Sequence, residues 1–335
     1  MSNETLVSVI ILNWNGSDLI TKCIDAVRDQ TYKPLELIVV DNASTDDSLS
    51  MIKKYENLKL VENTENLGFS RAVNIGIRES KGDYVMPLNN DVFLEKEYVE
   101  YLVREMDKNE KTGSVSGKLI KSKTRKIDTV GHSIHKNRLP RNIGSDQEDG
   151  PQYSIKKEVF GVCGAAPLYK RKMLEDVEIN GEYYDESFFA FLEDVDLDWR
   201  ARLLGWRSFY VPESVAFHHR GGTAVRRSKT VEMHNYKNRY LMIIKNDDPI
   251  SFLKNLHQIV FTDIIKNGAL LVRYPTALLG FADVLRLLPE TIRKRKIIRR
   301  KRKVSRKEME RWFLPFDYKE WFRQHATSDV YDLSK

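Results

Sequence analysis

Cysteine is scarce in this chain, which has two among its 335 residues, Cys23 and Cys163. Two thiols so far apart in sequence form neither a disulfide framework nor a cysteine-based metal cluster. The pattern predicts a reducing compartment, with both thiols serving as small residues of the core.

Targeting signals and long apolar runs are missing as well. Residues 1–6 lack the basic stretch and the apolar run of a secretory signal. No uncharged stretch reaches the roughly 18 to 20 residues that a spanning helix needs. These absences predict a cytoplasmic protein that is either soluble or peripheral at the inner face of the cell membrane.

Two phosphate-binding motifs do not occur anywhere in the chain. There is no Gly-x-Gly-x-x-Gly and no Gly-x-x-x-x-Gly-Lys-Ser/Thr. The first motif brings backbone close to a dinucleotide and the second cradles nucleotide phosphates. Their absence argues against a dinucleotide-dependent oxidoreductase and against a P-loop nucleotide hydrolase.

Short apolar runs alternate with helical patterns over the first ninety residues. The runs at residues 7–12, 35–40, 58–62 and 84–88 are rich in Val, Ile and Leu and end in turn residues. Strands that alternate with helices form a parallel sheet with helices on both faces. We therefore predict an α/β fold with a doubly wound, mostly parallel central sheet.

Polar side chains follow three of these predicted strands. Asn13 comes after the first strand, Asp41 after the second, and the run Asn89, Asn90 and Asp91 after the fourth. One such cluster is typical of a turn or helix cap, but ligands of parallel sheets collect beyond the carboxyl ends of the strands. Asp91 is suited to hold a divalent cation, which would in turn hold a diphosphate.

An acidic stretch at residues 193–198 follows an aromatic run at residues 188–191 and contains Glu193, Asp194, Asp196 and Asp198. It allows two interpretations. Acidic residues complement the dipole at the start of an ordinary amphipathic helix. Alternatively, carboxylates beside bulky apolar groups have the environment of a general base. Together with the strand-end residues, the second interpretation indicates group transfer from a nucleotide-activated donor.

The C-terminal part is basic and amphipathic. Residues 293–307 hold eleven Lys or Arg in a chain of net charge +7, and residues 277–290 carry a wide apolar face. We predict that residues 277–307 bind an anionic membrane surface. The alternative is a helical subdomain packed on the core with a solvated basic face. The predicted division is a catalytic domain at 1–247, a helical extension at 248–317 and a polar tail at 318–335.

Several motifs in series resemble the family 2 inverting glycosyltransferases of the GT-A fold, nearest to their rhamnosyltransferase-like branch. They are Val-Asp-Asn-Ala-Ser-Thr-Asp at 40–46, Asn-Leu-Gly-Phe-Ser-Arg-Ala-Val-Asn at 66–74, Leu-Asn-Asn-Asp at 88–91, Glu-Asp-x-Asp-Leu at 193–197, and His218 followed by Gly221, Gly222 and Thr223. The resemblance covers about residues 7–246. Each motif is weak alone, and their order is specific.

The resemblance implies a role for each matching residue. Asp41 would meet the nucleobase, with the remaining donor contacts from Asn13, Asn66, Arg71, Asn74 and Asn90. Asp91 and His218 would bind Mg²⁺ or Mn²⁺, although adjacent His219 is an open alternative to His218. Asp194 would be the catalytic base, supported by Glu193, Asp196 and Arg200. Asn89 replaces the first Asp of the family's Asp-x-Asp element, which puts the strength of metal binding in question.

The expected reaction is transfer of a sugar, rhamnose being one candidate, from a UDP- or dTDP-sugar to a polyprenyl-linked or polysaccharide acceptor in cell-surface glycan synthesis. One alternative is a nucleotidyltransferase of related architecture, but residues 13–16 are not the basic Gly-rich loop that it needs. Another is a non-catalytic basic protein that binds membranes or nucleic acid. Because residues 293–307 lack interleaved aromatics, we expect no nucleic-acid partner. The sequence leaves self-association open.

Overall fold

The computed structural model describes residues 5–220, 228–319 and 321. Its strands are β1 Val7–Asn13, β2 Leu35–Asp41, β3 Lys59–Glu62, β4 Tyr84–Asn89, β5 Val92–Leu94, β6 Thr112–Lys121, β7 Ile127–Thr129, β8 His132–His135, β9 Pro140–Asn142, β10 Lys157–Val159, β11 Pro167–Lys170, β12 Arg207–His218 and β13 Phe313–Leu314. Its helices are α1 Ile20–Arg28, α2 Ser48–Ile52, α3 Gly68–Glu79, α4 Tyr98–Met106, α5 Arg171–Val177, α6 Glu193–Leu203, α7 Lys229–Asn246, α8 Pro249–Lys254, α9 Leu256–Arg273, α10 Gly280–Lys301 and α11 Arg306–Glu310.

A ten-stranded sheet forms the centre of the molecule. The first four strands are parallel in the order β3-β2-β1-β4, and β11, β6, β12 and β10 continue the sheet beyond β4. β11 is antiparallel to both of its neighbours, whereas β6 and β12 are parallel to each other. The predicted α/β class and the four-strand parallel core are confirmed.

Helices cover both faces of this sheet because successive strand residues point to opposite sides. Ile11 packs with α1 and α4 in one apolar cluster, while Ile10 packs with α3, α5 and α6 in another. Cys23 and Cys163 are both buried and unpaired, as predicted. The sheet is therefore a buried and rigid platform for the loops at its carboxyl edge.

β12 is a long strand that continues past Pro212. The structure has one strand with an irregular register against β6 between Tyr210 and Val215. Pro212 interrupts the apolar pattern here, and a local irregularity lets the chain continue in the same sheet. The continuous strand places His218 at the carboxyl edge of the sheet.

The C-terminal helices pack on the part of the chain that contains the ten-stranded sheet. α10 lies against α7, and Val284, Ile298 and Phe313 share an apolar cluster with Trp199 of α6. β13 pairs with β8 to complete a small second sheet. Asp248 caps α8, since its carboxylate accepts from two backbone N–H groups at the start of that helix. The last predicted segment, 318–335, lies mostly outside the described residues.

No described helix is long and apolar enough to span a membrane.

Candidate active site

Asn13 is the centre of a hydrogen-bond network that joins three strand ends. Its amide donates to Asp41 Oδ2 at 2.8 Å and to the Ser48 hydroxyl at 2.9 Å, and its carbonyl oxygen accepts from Asn90 at 2.9 Å. β1 lies between β2 and β4, which places Asn13 opposite Asp41. The structure thus brings together the polar clusters that the sequence predicted. A Cβ on Gly16 would lie 2.1 Å from the Asn90 amide nitrogen, so glycine is required beside the network.

Both carboxylate oxygens of Asp41 accept hydrogen bonds from neighbouring residues. Its Oδ1 accepts from the Ser44 backbone N–H at 2.9 Å, and its Oδ2 accepts from the Ser44 hydroxyl at 2.7 Å as well as from Asn13. It is 1% exposed. In this structure Asp41 organises the loop after β2, and its contact with a nucleobase stays a prediction.

The predicted donor residues of α3 separate into two groups. Asn74 is fully buried, donates to the Tyr184 carbonyl at 2.8 Å and accepts from the Tyr184 N–H at 2.9 Å. It ties α3 to the chain before α6 and is not brought to the open edge of the sheet. Arg71, in contrast, has a side chain that is 53% exposed, with Nε 3.6 Å from Glu186. Asn66 accepts from the Asn42 amide at 2.8 Å and shapes the turn before α3.

Asp91 and His218 meet where β5 pairs with β12. The register sets His218 opposite Val92, and His218 Nε2 lies 3.2 Å from Asp91 Oδ1. The neighbouring His219 instead donates its backbone N–H to the Asp91 carbonyl at 2.8 Å. The imidazole beside Asp91 is therefore that of His218.

Asp128 contacts the other ring nitrogen of His218, the one that does not face Asp91. Its Oδ2 is 2.8 Å from His218 Nδ1, and its Oδ1 is 2.6 Å from Arg220 Nε. Burial alone would lower the pKa of His218, but its hydrogen bonds to Asp128 and Asp91 raise it to about 9. A carboxylate that fixes one imidazole nitrogen and leaves the other toward a second carboxylate is the arrangement of metal-binding histidines.

The residues present therefore fit a divalent cation. Asp91 and His218 would hold it, and Asn89, partly exposed at the end of β4, adds an amide oxygen nearby in sequence. The backbone N–H of Asn89 donates to Ala165 at 3.0 Å, which fixes this strand end. The contribution of the Asn89 side chain stays a prediction.

Asp194 stands out in α6, because it is the one residue of that helix that is not buried. Its Oδ2 accepts from the Gly164 N–H and its Oδ1 from the Val195 N–H, both at 2.8 Å. An amphipathic helix with one solvated face is therefore the wrong description of α6. The helix is buried all round and presents a single carboxylate at its N-terminus.

The other acidic residues of α6 are buried. Asp196 is fully buried, with Arg200 Nε at 3.0 Å, Lys245 Nζ at 2.9 Å and the Asn246 amide at 2.7 Å. The predicted pairing of Asp196 with Arg200 is thus present in the structure. Burial and the neighbouring Asp194 raise the pKa of Glu193 well above its usual value. This leaves Asp194 as the carboxylate of the cluster that a substrate can reach.

The loop before α6 has an uncommon backbone. Phe189, Phe191 and Leu192 have φ values of 64°, 71° and 63°, which bulky residues rarely adopt. The buried amide of Asn238, on α7, donates to the carbonyls of Phe188, Ala190 and Phe191 at 3.0, 2.8 and 2.7 Å. Asn238 therefore holds the loop that delivers Asp194.

Sequence reasoning missed Asp128, His132, Arg220 and Asn238. Asp128 lies in β7 and His132 in β8, and an ionisable residue within each short strand was the available signal. Arg220 and Asn238 had no distinguishing pattern. Gly221, Gly222 and Thr223, which contributed to the resemblance, lie outside the described residues.

Comparisons with known proteins point to one family. The model of the family described as Glycosyl transferase family 2 matches residues 8–178. The poly-beta-1,6-N-acetyl-D-glucosamine synthase of Staphylococcus epidermidis is 24% identical over 218 residues, which are 63% of this chain and 49% of that protein. An uncharacterized glycosyltransferase of Haemophilus influenzae is 34% identical over 114 residues, 33% of this chain and 35% of that one. The chain spans about half the length, or less, of these curated relatives.

Solved structures share the fold at low sequence identity. S. aureus TarS 1-349 in complex with UDP-GlcNAc superposes with a TM-score of 0.57 at 16% identity, over 91% of this chain and 89% of that one. The mannosyltransferase PcManGT from Pyrobaculum calidifontis, in complex with GDP-Man and Mn²⁺, gives 0.54 at 17% identity, over 99% and 82%. The predicted GT-A architecture is confirmed.

Proposed function

Because the chain belongs to glycosyl transferase family 2, we propose that it moves a sugar from a nucleotide-diphosphate donor to a hydroxyl of a lipid-linked or polysaccharide acceptor, with inversion at the anomeric carbon. The observation that carries the proposal is the carboxylate of Asp194, which is 15% exposed at the head of an otherwise buried helix. UDP- and dTDP-sugars, including a rhamnose donor, are the donors to test first.

Asp194 acts as the general base in this proposal. It takes the proton of the acceptor hydroxyl while the hydroxyl oxygen forms its bond to the anomeric carbon, and the bond from that carbon to the diphosphate breaks on the opposite side. The two N–H groups from Gly164 and Val195 orient the carboxylate. Glu193, Asp196 and Arg200 hold the helix start in place from the buried side.

The donor lies at the carboxyl edge of the sheet in this proposal. The Asn13 network, with Asp41 and Asn90, fixes the strand ends at which the base and ribose are bound. Arg71 is exposed enough to neutralise phosphate charge, while Asn66 and Asn74 shape the chain around it. A divalent cation held by Asp91 and His218, Mg²⁺ or Mn²⁺, would supply positive charge to the leaving diphosphate.

The C-terminal helices support a membrane-linked acceptor. Their exposed large apolar side chains are Ile250, Leu253, Leu256, Val260, Phe261, Ile264, Leu271, Val272, Phe281, Leu285 and Ile292. On α10 the exposed positions run from Phe281, Leu285 and Ile292 to Lys296 and Arg300, so one face changes from apolar to basic. That sequence of side chains fits an interface of acyl chains and anionic headgroups. We propose that α8 to α10 lie on such a membrane surface and bring Asp194 to a polyprenyl-linked glycan.

A panel of nucleotide sugars tests the reaction. The protein is incubated with UDP-, dTDP- and GDP-sugars and a polyprenyl-diphosphate-linked acceptor, with Mg²⁺, Mn²⁺ or EDTA. The expected result is transfer from one donor class, lost in EDTA and restored by the cation. Transfer that EDTA leaves unchanged contradicts the metal roles of Asp91 and His218. Release of inorganic diphosphate from a nucleoside triphosphate and a sugar phosphate would indicate a nucleotidyltransferase instead.

A further inference from the structure

His132 lies between two carboxylates of α6 and is buried beneath the proposed base. Its Nε2 is 3.7 Å from Asp194 Oδ2, and its Nδ1 is 3.5 Å from Asp198 Oδ2. One ring nitrogen of His132, the Cys163 sulfur and a carboxylate oxygen of Asp194 all lie within 4.8 Å of one another. The side chain of His132 is 5% exposed, so an acceptor cannot reach it and it is not itself the base.

Backbone hydrogen bonds hold His132 and the two carboxylates close together. The N–H of His132 donates to the Gly161 carbonyl at 2.8 Å, which joins β8 to the loop before β11. The same loop binds both carboxylates, since Val162 donates to Asp198 at 2.9 Å and Gly164 donates to Asp194 at 2.8 Å. A Cβ on Gly161 would lie 1.8 Å from Asp198 Oδ2, so only glycine allows this approach.

The cluster contains an excess of acidic groups. Glu193, Asp194 and Asp198 all belong to residues 193–198 of α6. Cys163 also contacts the imidazole of His132. Arg202 is the other cation beside Asp198, but it is committed to Glu158 at 2.6 Å and to the Phe160 carbonyl at 2.9 Å. Negative charges that lie close together oppose one another's ionisation.

The pKa shifts of His132 and Asp198 both agree with a cationic His132. Burial alone would lower the pKa of His132, but Asp194 and Asp198 raise it well above its usual value. Burial raises the pKa of Asp198 to about 6, against the opposing contact with His132. A histidine whose pKa is raised in the folded state carries its charge at neutral pH and loses it only as the pH climbs through that raised value.

We propose that His132 is a positioning residue for Asp194, supplying the positive charge that balances and orients this carboxylate within a buried acidic cluster. The proposal rests on the proposed function of Asp194 as base. It assigns to β8 a part in the chemistry that the family resemblance does not give it. The acceptor meets Asp194 from the open side, while His132 acts from the buried side.

His132→Gln tests the proposal, with Lys157→Gln, which removes a positive charge from the exposed surface of β10, as the matched control. The substitution removes the charge and retains a polar group of similar reach. We expect the acidic limb of the kcat profile to move up by about one pH unit, which lowers kcat by up to about tenfold at pH values on that limb and little at higher pH. KM for the donor should stay within about twofold, because no donor contact changes. A lower kcat with an unmoved acidic limb would overturn the proposal and indicate a structural role only.

An NMR titration provides a readout that needs no turnover. In protein labelled at histidine Cε1, the resonance that disappears in His132→Gln should titrate at least about one pH unit above the ordinary value of about 6.5. Asp194→Asn and Asp198→Asn should each move that midpoint down. A midpoint at or below the ordinary value would refute the proposal even if the enzyme is active. If the donor panel gives no transfer while the titration behaves as expected, the proposed function fails and the charge relationship remains.

Discussion

The ammonium group of Lys294 lies 2.7 Å from the carboxylate of Asp185. Lys294 belongs to the basic segment at residues 293–307, which the sequence assigned as a whole to anionic headgroups, yet its side chain is 3% exposed. Asp185 also pairs with Lys245 and accepts from the backbone N–H of Ser187, immediately before the aromatic loop that leads to Asp194. The basic segment therefore supports the active-site loop as well as presenting charge at the surface.

Removing Lys294 should destabilise the fold. Lys294→Met leaves the Asp185 carboxylate buried with one cation fewer, and we expect the free energy of unfolding to drop by about 3 kcal/mol. Arg293→Met, at the exposed neighbouring position, should change it by less than about 0.5 kcal/mol. Urea unfolding of both variants measures the difference. Equal midpoints would show that the pair contributes nothing net.

Acid should weaken the same cluster. Burial alone would raise the pKa of Asp185, but Lys245 and Lys294 lower it below its usual range. A carboxylate whose pKa is lowered in the folded state contributes stability above its unfolded pKa, and that stability is lost as the pH falls below about 4 toward the folded value. Lys294→Met should therefore lose less stability than the wild type between about pH 5 and pH 3. Parallel losses in urea titrations at these pH values would contradict this assignment.

Asn89 offers a gain-of-charge test of the metal site. Asn89→Asp adds a second carboxylate two residues before Asp91, and affinity for hard cations rises with ligand charge. We expect the Mn²⁺ concentration for half-maximal activity to fall by about tenfold. Asn109→Asp, which adds the same charge at an exposed distant position, should leave it unchanged. An unchanged Mn²⁺ requirement in Asn89→Asp would place the Asn89 side chain outside the metal site.

Asn238 should matter for turnover more than for donor binding. Asn238→Ala deprives three carbonyls of their donor and frees a loop with three left-handed residues. Relaxation of that loop misplaces Asp194, so we expect kcat to fall by about 10- to 100-fold with little change in donor affinity. Asn235→Ala on the same helix is the control. Wild-type kcat in Asn238→Ala would show that the loop keeps its shape without this residue.

Membrane contact can be tested by vesicle flotation. Phe281→Asp combined with Leu285→Asp introduces charge on the apolar part of the exposed α10 face and should weaken binding to anionic vesicles by about tenfold or more. Ile155→Asp, at a residue of the catalytic core that is 60% exposed, should not weaken it. Wild-type binding should also decrease at high salt, because headgroup attraction is screened. Flotation that depends on neither salt nor the α10 substitutions would contradict the membrane assignment.

The parallel core and its polar strand ends could be predicted from the sequence because both follow from local patterns. Val7–Asn13 is apolar apart from Ser8 until it ends in Asn13, and the sheet topology then forces Asn13, Asp41 and Asn90 together. The roles of Asp128 and His132 could not be predicted, because their partners lie tens of residues away. His132 meets Asp194 only after β8 and the residue 161–164 loop have packed against α6. Likewise, nothing local distinguishes buried Lys294 from its exposed neighbours.

The general-base role of Asp194 is the central claim, and Asp194→Asn tests it most directly. The amide has nearly the same shape as the carboxylate but cannot accept a proton, so donor binding by calorimetry should stay within about twofold of wild type. Transfer at saturating donor and acceptor should fall by about 10²- to 10⁴-fold, while the exposed Glu175→Gln on α5 should match wild type. Asp194→Asn protein that transfers sugar at the wild-type rate would contradict the account.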